Sequence, residues 1–331
     1  MTRLITDGAE SGIVAAGSSN IAISTSASRS GNCSYAATLN SSTLLYQIAN
    51  KTELYTRCAV YTNKDSNSVV YIGVDNGSSL FIRLIINITV GEPFITLVIN
   101  GSVVAQGSYT YGIAQWELIE AYYKIGSSGS VIVKVNGIED INYSGDTTPT
   151  TGSAYITMAK FIGYGYSNFY TYYDDIAIND TSGTTDNSWC NDGRIYALLP
   201  NGNGSLSELV GSDSNSTDNY LLVDEATPDG DATYVYSETA NKTDLYTITD
   251  TTIPVGMKIT RVWAECVAKD PDAGNIAMVI KSGATTSVGS SQQLSAAYSL
   301  IKSAEYFVDP DDSAEWTETS LNAIEAGVKV L

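Results

Sequence analysis

The residues best placed to do chemistry in this chain are carboxylates. Glu117-Leu118-Ile119-Glu120 is the closest approach to the paired acids of a glycan-cleaving β-sandwich. A retaining glycosidase needs two carboxyl groups about 5 Å apart on one face. In a strand, side chains alternate between faces, so a separation of three sends Glu117 and Glu120 to opposite sides. Asp174 and Asp175 are adjacent, and the same alternation points them apart. The second chemistry open to acids is Ca2+ coordination, in which about six to eight oxygens surround the ion. Asp174, Asp175, Asn179 and Asp180 are the candidate ligands in the first half, with Asp309, Asp311 and Asp312 in the second. Their spacing matches neither an EF-hand nor a Gly-Gly-x-Gly-x-Asp repeat. Turn acids that cap loops account for the same residues. The expectation is therefore no cofactor, with Ca2+ as the competing assignment.

Nucleophilic and redox chemistry finds less support. The chain has no His, which removes the commonest general base and triad partner. It has no Gly-x-Ser-x-Gly elbow and no P-loop, and Gly163-Tyr164-Gly165 lies in a Tyr-rich stretch with no helix after it. Cys33, Cys58, Cys190 and Cys266 are too scattered for a zinc site or a disulfide framework. No catalytic residue is assigned, and the chain reads as a non-enzyme. One binding surface remains. Tyr164, Tyr166, Tyr170 and Tyr172 crowd one loop, where they either form a stacking platform for a sugar or pack across a sheet as ordinary strand formers.

The elements that must position these groups are strands. Thr52–Thr62 alternates Leu54, Thr56, Cys58 and Val60 against Tyr55, Arg57, Ala59 and Tyr61, and Ser79–Ile88 does the same with Leu80, Ile82, Leu84 and Ile86. Asn100-Gly101 and Asn136-Gly137 supply the paired positive φ values of a type I′ hairpin turn. Helical spacing is nearly absent. The spacing predicts a helical turn only near Thr317, where Thr317 caps and Glu318 opens the first turn. In the second half, strands are expected over 195–199, 220–223, 233–236, 244–248, 258–268, 276–281, 298–308 and 325–331. The polar, aperiodic run 181–194 reads as a connection. The chain is thus expected to be all-β: two β-sandwich, jelly-roll-like domains in tandem, over 1–182 and 195–331, joined by a linker at 183–194.

Composition excludes several partners. With 17 Lys+Arg against 36 Asp+Glu the net charge is -19, which repels nucleic acid and anionic membrane surfaces. No stretch has the length or apolarity of a membrane span, and the opening residues lack the apolar core of a signal peptide. The expectation is synthesis in a cytoplasm without secretion.

Two groups of motifs resemble known proteins. Trp116-Glu117-Leu118-Ile119-Glu120 followed by Val131-Ile132-Val133-Lys134-Val135-Asn136-Gly137 resembles the central hairpin of laminin-G-like, concanavalin A-like jelly rolls. Tyr173-Asp174-Asp175-Ile176-Ala177-Ile178 is similar to their closing strand. The series Asp192-Gly193-Arg194-Ile195, Leu199-Pro200-Asn201-Gly202, Asp229-Gly230-Asp231 and Gly327-Val328-Lys329-Val330 resembles structural proteins of tailed bacteriophages, in which a laminin-G-like domain precedes a second β-domain. The resemblance implies a non-enzymatic virion protein exposed on the particle as a capsid decoration, head fibre or tail component. It implies other virion proteins or further copies of the chain as partners. The class-distinct alternative is a carbohydrate-binding adhesin that meets a host surface glycan through the Tyr-rich loop, and the third reading is a degenerate glycan-cleaving enzyme.

Overall fold

The computed structural model describes residues 3–39, 41–63, 69–87, 94–110, 112, 114–166 and 169–331. The chain is all-β and divides into two compact units, Met1–Glu10 with Val14–Tyr196, and Ser11–Ile13 with Ala197–Leu331.

The first unit contains β1 (Arg3–Asp7), β2 (Ile21–Ser24), β3 (Ser34–Ala37), β4 (Ser42–Lys51), β5 (Glu53–Thr62), β6 (Val69–Asp75), β7 (Leu80–Asn87) and β8 (Ile95–Ile99). It continues with β9 (Ser102–Gln106), β10 (Trp116–Lys124), β11 (Gly129–Val135), β12 (Ile138–Gly145), β13 (Ile156–Gly163), β14 (Gly165–Tyr166) and β15 (Phe169–Asn179). Among the described residues these make a nine-stranded sheet, ordered β12-β11-β10-β5-β15-β3-β2 with β1 and β14 also on β15. A six-stranded sheet is ordered β4-β13-β6-β7-β8-β9. All pairings are antiparallel, and the inward residues of both sheets interdigitate in one core. Leu54, Cys58 and Val60 of β5 face Ile82, Leu84 and Ile86 of β7 across that core as the period of two requires; Ile88 lies outside the described residues. Both hairpin turns form as expected, with φ of 48° and 84° at Asn100-Gly101 and 50° and 81° at Asn136-Gly137.

The second unit contains β16 (Pro200–Ser207), β17 (Val210–Gly211), a 3-10 turn (Asn219–Leu222), β18 (Val235–Tyr236), β19 (Thr243–Ile248), β20 (Glu265–Ala268) and β21 (Asn275–Ser282). After these come β22 (Thr285–Val288), β23 (Gln292–Gln293), β24 (Ser299–Lys302), α1 (Glu318–Leu321) and β25 (Glu325–Val330). The principal sheet runs β16-β19-β25-β21-β22. Ile276, Met278 and Ile280 of β21 pack against Val262, Ala264 and Ile301, with Trp316 and Leu321 completing a separate core. Thr317 caps α1 in a reciprocal capping box with Ser320.

Several strand expectations in this unit do not hold. Residues 195–199 are irregular, 220–222 fall in the 3-10 turn that Val223 follows, and the runs 258–268 and 298–308 contribute only β20 and β24. Conversely, Pro200–Ser207 is a strand although its Pro-Asn-Gly reads as a turn. It is an edge strand with most side chains exposed, so its backbone pairing to β19 carries it rather than apolar alternation. At Gly204 an added Cβ would lie 2.5 Å from the Leu245 carbonyl oxygen, so the close pairing needs glycine there.

Candidate functional site

The acids of β10 separate as the alternation dictates. Glu117 points inward and is fully buried, accepting from the hydroxyl of Tyr109 at 2.8 Å and from Asn136 Nδ2 at 2.6 Å. Burial, then this bond to Glu117, pushes the Tyr109 hydroxyl up to about 12. Glu120 points outward and accepts from the backbone N–H of Asn191 at 2.7 Å. The two carboxylates share no space for a glycosidic bond.

Asp174 and Asp175 depart from the alternation. Between Asp174 and Ala177 the register of β15 against β5 shifts, and Asp175 adopts φ of +51°, a left-handed value that non-glycine residues rarely take. This bulge turns both side chains to the same side, where both are fully buried and both meet Ser30. Asp174 accepts from the backbone N–H groups of Arg29, Ser30 and Asp175 at 2.7, 3.2 and 2.7 Å. Asp175 accepts from Arg29 Nη1 at 2.8 Å and from the N–H of Ile195 at 2.9 Å. The expectation that the two acids point apart is corrected by the bulge.

The four candidate Ca2+ ligands do not converge. Asp174 and Asp175 form the cluster around Arg29. Further along β15, Asn179 accepts from Arg3 and donates to the Ser188 carbonyl, while Asp180 accepts from Lys51 and from Ser182. Among the described residues no group of three or more acid, Cys or His side chains is disposed to hold a metal. In the second unit, Asp309 and Asp312 accept from backbone N–H groups two residues on, and Asp311 from those of Ala284 and Thr285.

The run expected as a linker, 183–194, belongs to the first unit and lies on the outer face of the larger sheet. Trp189 packs edge-on against Tyr55 at 5.4 Å, and Lys134 Nζ sits 3.8 Å from its ring centroid. Arg57 reaches up to the Asn191 carbonyl at 3.0 Å, and Arg194 donates to the Arg29 carbonyl at 2.8 Å. A polar, aperiodic sequence is what such a segment needs: each buried strand-face charge is met by a backbone group that regular structure would have consumed.

Burial, and then the neighbouring Asp175, push the Asp174 carboxyl up to about 8, outweighing the three N–H groups that favour its ionised form. The folded protein therefore holds a proton that the unfolded chain, with its value of 3.8, gives up. Stability from this group is complete below the unfolded value and is lost as pH rises toward about 8, beyond which it is flat. Thermal melts across that window should show the decline, and Asp174→Asn should flatten it; an unchanged slope in the variant would place the titration elsewhere.

At the Tyr-rich loop β14 pairs antiparallel with β15, with Gly165 opposite Tyr170 and Tyr166 opposite Phe169. Of the loop's candidates, Tyr164 does not share a surface with Tyr170 and Tyr172. Tyr164 packs half-buried against the core, the side chain of Tyr166 lies outside the described residues, and Tyr170 and Tyr172 lie two apart on the outer face. Tyr172 is the direct register partner of Tyr61, which is that of Trp116. Successive ring centroids from Trp116 through Tyr61 and Tyr172 to Tyr170 are 5.4, 5.8 and 6.1 Å apart. Tyr61 and Trp116 were outside the sequence-based set. The signal for them was present: the outward positions of the alternation put both on the face that Tyr172 occupies.

No protein-family model and no curated protein matches the chain. Among solved structures it is similar to an endo-β-1,4-glucuronan lyase of the fungus Trichoderma reesei, at 11% identity over 56% of this chain and 98% of the lyase, with a TM-score of 0.42. It is similar to the cellulose-induced protein Cip1 at 14% identity over 57% and 100%, TM-score 0.40. A tetrameric galectin from the ball sponge Cinachyrella sp. aligns at 11% identity over 42% and 99%, TM-score 0.33.

Proposed function

We propose that this protein is a non-enzymatic structural component of a tailed-bacteriophage particle, exposed on its head or tail. The observation that carries the non-catalytic part is the use made of the acids on the larger sheet. Glu120, Asp174 and Asp175 are bonded to the chain's own 189–196 segment or to the Arg29–Ser30 loop that meets it, so their oxygens serve folding. The virion part rests on the motif series from Asp192 to Val330 and on a charge that disfavours nucleic acid and membrane. Other virion proteins are its partners, and exposed sheet edges offer them main-chain hydrogen bonds and apolar side chains. Val103 on β9 and Ile138 on β12 are 63% and 73% exposed on such edges.

Main-chain and apolar contacts are insensitive to salt, whereas a basic dock for an acidic protein is not. Mass spectrometry of purified particles should find the chain and should still find it after a wash at about 1 M salt, where the Debye length is only ~3 Å. The purified chain should release no product from polysaccharides. Absence from particles, or turnover lost in Glu120→Gln, would overturn the reading.

A further inference from the structure

We propose that the outer face of the larger sheet in the first unit carries a binding site for an extended neutral glycan, built on Trp116, Tyr61, Tyr172 and Tyr170. The site goes beyond the structural role above and does not depend on it.

The sheet register defines the site. Trp116, Tyr61, Tyr172, Ala36 and Ala22 are consecutive cross-strand partners on β10, β5, β15, β3 and β2. Five strands span about 19 Å at the ~4.8 Å spacing of a sheet, the reach of an oligosaccharide rather than of one sugar. Three rings form a wall at one end of the row. The two alanines at the other carry nothing beyond Cβ; Ala36 is only 7% exposed, so the row is open there chiefly at Ala22. Tyr170, 37% exposed, stands beside Tyr172, which is itself nearly covered by the rings on either side. The surfaces left for a ligand are those of Tyr170, Tyr61 and Trp116.

A pyranose presents C–H faces and a rim of hydroxyls, and half-exposed Tyr and Trp match both with an apolar ring and a polar tip. Among the described residues the hydroxyls of Tyr61, Tyr170 and Tyr172 make no hydrogen bond within the protein. Neighbouring rings are inclined by 41°, 63° and 45°, so the strip is not planar and suits a twisted single chain better than a flat crystalline surface. Charge selects the neutral class. Among the described residues, Arg57 and Arg29 on this face are committed to Asp175, Asn191 and Asp192, and the chain's charge of -19 repels uronates and sulfated sugars. The face already accepts a ring from its own chain, since Trp189 rests on Tyr55. The contacts of that segment run through Arg57, Glu120 and Asp175, and the Ala59 row separates Arg57 and Glu120 from Tyr61 and Trp116.

The test is calorimetric titration of the full chain with cellohexaose, maltohexaose, mannohexaose and chitohexaose, with an alginate hexasaccharide as the anionic comparison. At least one neutral hexasaccharide should bind. Tyr170→Ala should weaken it roughly tenfold, or ~1.4 kcal/mol; Tyr61→Phe, which keeps the ring and loses the hydroxyl, should weaken it less. Tyr155→Ala, an exposed tyrosine outside the row, should leave it unchanged. Failure of every neutral hexasaccharide to bind at millimolar concentration, equal binding by Tyr170→Ala, or preference for alginate would each overturn the proposal. So would a dimer that Tyr170→Ala converts to monomer, because the strip would then be an interface between copies. None of these outcomes bears on whether the chain is found in particles.

Discussion

Arg29→Ala should lower the melting temperature of the first unit by roughly 10 °C, because breaking a buried ion pair costs about 3–5 kcal/mol and each kcal/mol moves a unit of this size ~2–4 °C. The Arg29 side chain is only 8% exposed and spans Asp175 and Asp192 while also donating to the Gly193 carbonyl. Its removal strands Asp175 at zero exposure beside a second buried acid. The cost is thus chiefly an uncompensated charge rather than a lost attraction. Adding Asp175→Asn to the variant removes that charge and should recover part of the loss. A surface pair gives the contrast. Lys258 and Glu315 are 68% and 78% exposed, and Lys258→Ala should change stability by no more than ~1 kcal/mol. Calorimetry on the three variants checks the argument; a shift below about 2 °C for Arg29→Ala would show that water or rearrangement compensates Asp175.

The contrast between these residues also marks what the sequence made legible. Local rules succeeded where one residue's neighbours along the chain decide its conformation. The alternation of β5 and β7 gave their inward faces, two Asn-Gly pairs gave their turns, and Thr317 gave the start of α1. The separation of Glu117 from Glu120 gave their opposite faces. Asp175 was not legible, because its left-handed φ is held by Arg29, Ser30 and Ile195, groups distant in sequence. The 183–194 segment failed for a related reason: polarity reads as solvent exposure, yet here it answers buried charges on a sheet face. Tyr61 and Trp116 were each readable as outward residues, but their meeting with Tyr172 depends on a strand order that no local pattern encodes. In the second unit, strands such as β16 are held by backbone pairing at an edge, and composition carries no trace of that.

Asp244→Ala should strongly destabilise the second unit. The Asp244 carboxylate on β19 is fully buried and organises four donors. One oxygen accepts from the backbone N–H groups of Glu208 and Leu209 at 2.6 and 2.8 Å. The other accepts from Asn219 Nδ2 at 2.6 Å and from the Tyr246 hydroxyl at 3.0 Å. These bonds tie the end of β16 and the 3-10 turn to the principal sheet, and burial followed by the nearby carboxylate pushes the Tyr246 hydroxyl well up. Alanine leaves the buried Leu209 N–H and the Tyr246 hydroxyl without this acceptor, while Glu208 N–H keeps a longer bond to the Thr243 carbonyl at 3.3 Å and Asn219 keeps its bond to Leu209. At about 1–3 kcal/mol for each stranded buried group, the loss is ~4 kcal/mol. Asp244→Asn should recover less than half, since its amide end turns donors toward donors. Tyr246→Phe removes one partner cleanly and should cost only about 1 kcal/mol. The two cores share no residue, so the loss should appear in the second unit's calorimetric transition alone. If Asp244→Ala melts as the parent does, the carboxylate is not the hub its bonds describe; if both transitions fall together, the two units unfold as one.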